Sequence, residues 1–123
     1  MSIAAIRSAS EIIPRRVRVD VPARTRRHWF GGDPASTHIF NALSAGFPRG
    51  EKMFVDAVRA YKDRITDPNL ADAVRRFVAQ ETNHSRAHEA FNDWVRSQGL
   101  PVGEIEAEVA RQMDAGEKFF SPE

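Results

Sequence analysis

The chain has 123 residues, long enough for one domain with a real core and too short for two, and 41% of them are hydrophobic, as in a folded protein. It has no cysteine, which excludes disulfides, thiolate metal sites and cysteine nucleophiles, and no apolar run near the roughly 18 residues of a membrane span. The net charge of +1 hides an asymmetry: residues 1–30 carry seven arginines against Glu11 and Asp20, and the remainder is acidic.

Residues 1–32 read as a basic extended arm without helical periodicity. The piece from Ile12 to Val21 alternates apolar and polar residues at its end, like an extended arm or a short edge strand. No stacking aromatics are interleaved with the arginines before Trp29. The arm is therefore read as a strap over its own acidic domain, and no nucleic acid is expected as a partner. Gly31-Gly32-Asp33-Pro34 marks a helix start, with Asp33 as cap and Pro34 at the first helical position. A short helix through Ile39, Phe40, Leu43 and Phe47 is expected to stop at Pro48. A second, from about Gly50 to Ile65, would turn Glu51, Phe54, Val55, Val58, Tyr61 and Ile65 inward.

Thr66-Asp67-Pro68 repeats the cap-then-proline start. The third helix should run to about Gln98, roughly 45 Å at 1.5 Å per residue, and Gly99-Leu100-Pro101 ends it. Ile105, Val109, Met113 and Gly116 outline a fourth helix fading near Phe120. The fold class is all-α: an arm, then a helical metal-binding domain over 33–123. With no signal-peptide core after Met1, a cytoplasmic location is expected.

The chemistry lies on the third helix. Alternating steps of four and three visit Leu70, Val74, Phe77, Glu81, His84, His88, Phe91 and Val95. Both ends of this seam are apolar, and its middle is a carboxylate and two imidazoles on one face. A carboxylate on a buried seam needs a partner, and a divalent cation would satisfy all three groups at once. Glu51 falls in line on the preceding helix. In ferritin-like bundles, two helices each give a Glu and two each give a Glu-x-x-His. Glu51 is then the lone Glu, and Glu81 with His84 the pair. His88 is either an extra ligand or an orienting residue. Such ligation suits iron or manganese better than zinc, which stays possible.

Other readings of these residues are weaker. A buried polar network would bond Glu81 to Arg75, Arg76 or Arg86, and the histidines to backbone or Asn92. Leaving even one such group unpaired costs about 1–3 kcal/mol, which favours the metal. His84-x-x-x-His88 has zinc-protease spacing but lacks the Glu after the first His, where Ser85 stands. Ser44, Ser85 and Asp93 could supply a hydrolytic triad, but no Gly-x-Ser-x-Gly turn marks a nucleophile. His28 and His38 lie outside the periodic row.

The runs from Phe40 to Phe54, Ile65 to Leu70 and Phe77 to Asn92 contain Phe-Pro-x-Gly-Glu followed by Gln-Glu-x-x-His-x-x-x-His. Over roughly residues 36–100 the chain resembles the bacterial family of predicted metal-dependent hydrolases. The resemblance implies a ferritin-like helical core, metal at Glu51, Glu81, His84 and His88, and hydrolysis of a small-molecule substrate. The same ligand pattern suits a di-iron oxidase or oxygenase. Members of that family are longer and carry a second glutamate and a histidine-rich motif in their later half, absent here after Gly99. The chain is therefore expected to be a piece of a longer protein, a non-catalytic metal-binding or dimerisation remnant, or a homodimer that completes one site across a two-fold axis.

Overall fold

Asp33 and Asp67 sit in extended backbone, and each side chain accepts a hydrogen bond from a first-turn N–H, Ser36 at 2.7 Å and Asn69 at 2.9 Å. Pro34 and Pro68 follow where an N–H would have no helical partner. These signals open α1 (Pro34–Ala60) and α2 (Pro68–Ser97), joined through a 3-10 turn at Lys62–Arg64. The computed structural model describes residues 11–120 and adds α3 (Val102–Phe120). Gly99, at φ 77°, takes the left-handed backbone that turns α2 towards α3. Among the described residues there is no strand, so the chain is all-α and the edge-strand option for the arm falls away. No described helix is long and apolar enough to cross a membrane.

The expected stop at Pro48 does not occur. α1 runs through it as one 27-residue helix, ending at Ala60 rather than Ile65. A proline in a helix interior strips the carbonyl four residues back of its donor, a loss of about 3 kcal/mol or more if nothing replaces it. Here that carbonyl belongs to Ser44, and Asn92 Nδ2 on α2 donates to it at 3.0 Å. A tertiary bond stands in for the local one, and the helix continues.

α1 is the central element. It forms an antiparallel hairpin with α2 and carries α3 on another face, while α2 and α3 share few contacts. The approach of α3 depends on small residues. A Cβ added at Gly46 would lie 3.5 Å from Val109, and one at Gly50 would lie 3.5 Å from Met113. Arg49, between them, pairs with Asp114 and Glu117.

Ala45, Val55, Val95 and Val102 form the buried apolar core, with Phe91, Trp94, Leu100 and Ile105 partly covered around it. The buried polar set is as large: Thr37, Asn41, Ser44, Glu51 and Asn92. The expected inward row of α1 is only half right. Glu51 and Val55 are buried, but Phe54 and Tyr61 are each 51% exposed. With two helices already packed on α1, these aromatics fall on its remaining face, alongside exposed Phe40, Leu43 and Phe47.

The arm is tied down at several points. Glu11 pairs with Arg76 at 3.0 Å, and the Arg15 N–H donates to Gln80 Oε1 at 2.9 Å. Trp29 Nε1 donates to Asn41 Oδ1 at 3.0 Å, with its ring edge-on to Phe91. The Phe30 N–H donates to Thr37 Oγ1 at 3.2 Å. Residues 1–10 of the arm lie outside the described residues.

The Gly46 contact yields a test. Gly46→Ala is expected to stabilise the protein by up to about 1 kcal/mol through helix propensity, because its methyl meets Val109 at ordinary contact distance. Gly46→Leu should destabilise by about 1–3 kcal/mol by wedging α3 away. Urea denaturation reads both; equal stability for the two variants would show that α3 does not rest on α1.

Candidate metal centre

Glu51 sits three residues after Pro48, on the face of α1 that α2 covers, and is 5% exposed. Among the described residues neither of its carboxylate oxygens has a hydrogen-bond partner. His84 Nδ1 approaches Oε1 to 2.8 Å without hydrogen-bond alignment. One turn further along α2, His88 Nε2 lies 3.1 Å from His84 Nε2. One donor atom each from Glu51, His84 and His88 fall within 4.8 Å of one another. Glu81, the remaining sequence candidate, stands at the edge, with Oε2 4.0 Å from His84 Nδ1 and its side chain 17% exposed.

Electrostatics at the cluster follow from burial. Desolvation pushes the Glu51 carboxyl above its ordinary value; His84 opposes the shift and Glu81 adds to it. Desolvation and then His84 push the His88 imidazole below its ordinary value, which favours the neutral ring, the form that has a lone pair to offer. An orphaned buried carboxylate beside two imidazoles is costly for a protein interior and favourable for a divalent cation. Two imidazoles and one carboxylate are the donors of zinc sites in hydrolases and of iron(II) sites in oxygenases. The residues fit a divalent metal. Of the competing polar network, the arginine half is not formed among the described residues, since Arg75 and Arg76 pair with Asp72 and Arg86 makes no ion pair with Glu81, whereas His88 is linked through Ser44 to Asn92.

Two residues that the sequence suggested only for a polar network (Asn92) and for a hydrolytic triad (Ser44) complete the support of the site. Ser44 Oγ lies 2.8 Å from His88 Nδ1 and 2.7 Å from Asn92 Oδ1. The contact has the outline of a hydrolytic dyad and not its chemistry. Ser44 is 4% exposed and its hydroxyl donates to Asn92, so it is not a nucleophile activated by His88. Asp93 is exposed and bonded to Arg96. The signal that could have found this pair is Pro48: once a helix runs through it, the Ser44 carbonyl needs a donor from another element.

The cluster lies between two concavities. One, of about 460 Å³, is walled by Glu51, Glu81, Ser85, Glu89, Arg59 and Arg86. The other, of about 520 Å³, is an apolar groove containing Val17, Trp29, Phe47 and Phe91 together with His84 and His88. The Phe47 ring packs on His88 with centroids 4.7 Å apart. His28 and His38 pair edge to face with each other, outside the donor cluster.

A family model described as predicted metal-dependent hydrolase matches residues 13–123. No curated protein and no solved structure matches the chain. The family match spans all three helices, the donor cluster and most of the described arm, and the chain belongs to the family of predicted metal-dependent hydrolases.

Proposed function

We propose that this protein is a metal-dependent hydrolase whose divalent cation is held by Glu51, His84 and His88, with Glu81 as the fourth donor at the open edge. The observation that carries this reading is the buried Glu51 carboxylate, with no aligned hydrogen bond on either oxygen, His84 Nδ1 2.8 Å from Oε1, and a second imidazole within reach. A cation held there supplies Lewis acidity and makes water a nucleophile at neutral pH. The chain does the rest. Packing of α2 on α1 fixes the donors, Phe47 shields His88 from one side, and the concavity walled by Glu51, Glu81 and Ser85 takes a small-molecule substrate.

The test is hydrolysis of a panel of 4-nitrophenyl carboxylate and phosphate esters by protein loaded with zinc, manganese or iron(II). Turnover should require metal and disappear in Glu51→Gln and His84→Ala. Full metal occupancy without turnover of any ester would remove the hydrolase reading. One observation favours a second reading: two imidazoles and one carboxylate are also the ligands of iron(II) oxygenases. A change in visible absorption when the iron-loaded protein meets air would support it. The four donors of one chain account for one ion, so a di-iron centre would draw further carboxylates from another chain.

Stability should report the metal through Glu51. Its folded pKa is raised, so the folded chain holds a proton that the unfolded chain sheds. The metal-free protein therefore keeps this contribution in full below the ordinary value of 4.5 and loses it as pH rises through the raised one. Metal binding displaces that proton and adds stability by mass action. The gain in Tm on adding zinc should grow as pH rises across this window, and Glu51→Gln should abolish both the gain and the slope. A Tm indifferent to zinc and to chelator would contradict the assignment.

A second copy of the chain is the proposed partner. Phe40, Phe47 and Phe54 recur every seven residues along α1 and Tyr61 continues the spacing at its C-terminal cap, with Leu43 beside them, and all are exposed. That spacing lets a helix from another copy lie along the stripe. It would cover the open side of His84, whose side chain is 50% exposed. Light scattering across a dilution series should find a dimer that Phe54→Lys breaks; a monomer at every concentration would count against it.

A further inference from the structure

We infer that Pro48, Ser44 and Asn92 form a positioning relay that sets the tautomer of His88 and so aims its Nε2 lone pair at the metal. The metal end of this inference rests on the reading above; the tautomer does not. It follows from counting protons along a buried chain of hydrogen bonds.

Pro48 has no N–H, so the Ser44 carbonyl lacks its donor within α1. Asn92 Nδ2 reaches that carbonyl at 3.0 Å. A carbonyl only accepts, so the amide must turn its NH2 towards it, and the orientation of the Asn92 side chain is fixed. Oδ1 then faces Ser44 Oγ at 2.7 Å. An amide oxygen also only accepts, so the single hydroxyl proton of Ser44 is committed to Asn92. One contact remains, between Ser44 Oγ and His88 Nδ1 at 2.8 Å. The hydroxyl has no second proton, and the imidazole must donate: His88 carries its proton on Nδ1. In the neutral ring Nε2 is then the free acceptor.

Nε2 is the atom that faces the donor cluster, 3.1 Å from His84 Nε2. Asn92 is 1% exposed and Ser44 4%, so water does not compete for the two bonds between them that commit the Ser44 proton. A histidine side chain free in water prefers the opposite tautomer, with the proton on Nε2, which would block the ligating atom. Ser44 and Asn92 thus do at His88 what a carboxylate or backbone carbonyl does behind many metal-bound histidines. Pro48 has a role that its position in mid-helix would not suggest: by emptying one carbonyl it specifies which way Asn92 points.

The measurement uses the full chain labelled with 15N-histidine, kept metal-free with chelator at pH 8, and long-range 1H–15N correlation of the ring nitrogens. His88 should show a protonated, pyrrole-type Nδ1 and a bare, pyridine-type Nε2. Zinc should then shift Nε2 while Nδ1 stays protonated. Ser44→Ala should mix the tautomers and weaken zinc binding by about 10–100-fold, whereas Ser44→Thr, which restores the hydroxyl, should recover both. A His88 protonated on Nε2 in the metal-free native protein overturns the relay, whether or not zinc binds. So does a Ser44→Ala variant that keeps the native tautomer and zinc affinity. If the native tautomer is as inferred but zinc shifts neither the His84 nor the His88 imidazole, the relay stands as a structural device and the metal reading fails. The native measurement needs no substitution, so the inference stays testable even if Ser44→Ala does not fold.

Discussion

The arrangement depends on a buried carboxylate. Glu51 is placed by α1 under α2 and loses its water, a loss offset only in part by His84 at 2.8 Å and by Ser85, neither of which brings its carboxyl back to the ordinary range. An ionised carboxylate in that position is not tolerated by itself; it takes up a proton or finds a cation. The raised pKa of Glu51 is the first response, and the two imidazoles crowded beside it are the arrangement for the second. Of the other buried polar residues, Thr37 and Asn41 hold the arm and the remaining two serve one of those imidazoles. Ser44 and Asn92 lock His88, and Phe47 packs on its ring. The apolar core, built on Ala45, Val95 and Val102 next to Ser44 and Asn92, holds α2 on α1 while the site stays open.

Much of this was legible in the amino-acid order because it is local. The caps at Asp33 and Asp67 and their prolines are short-range chemistry, and both appear where they were read. The seam through Glu81, His84 and His88 is a matter of helical periodicity, which needs only the helix. The structure brings His84 and His88 to Glu51 and leaves Glu81 at the edge. That difference depends on the crossing of two helices, and no spacing within one helix encodes it.

Two features were misread because their causes are tertiary. Pro48 is a helix stop by every local criterion, and it is overruled by a donor 44 residues away, Asn92. Phe54 and Tyr61 have inward spacing, but α1 has more apolar faces than it has partners in this chain. Counting apolar positions on α1 shows that three faces want cover; it does not show which two get it. The small residues Gly46 and Gly50 decide that, by letting α3 sit against them.

The central claim is that Glu51, His84 and His88 are there for a metal, and a direct measurement is the position of the ion. A crystal of the protein grown with zinc, with data collected on both sides of the zinc absorption edge, would give it. The account predicts one anomalous peak per chain, about 2.0–2.2 Å from a Glu51 oxygen and from one nitrogen each of His84 and His88, with the His88 contact made through Nε2. An anomalous peak elsewhere on the chain, with Glu51 still buried and bonded to no ion, would contradict it.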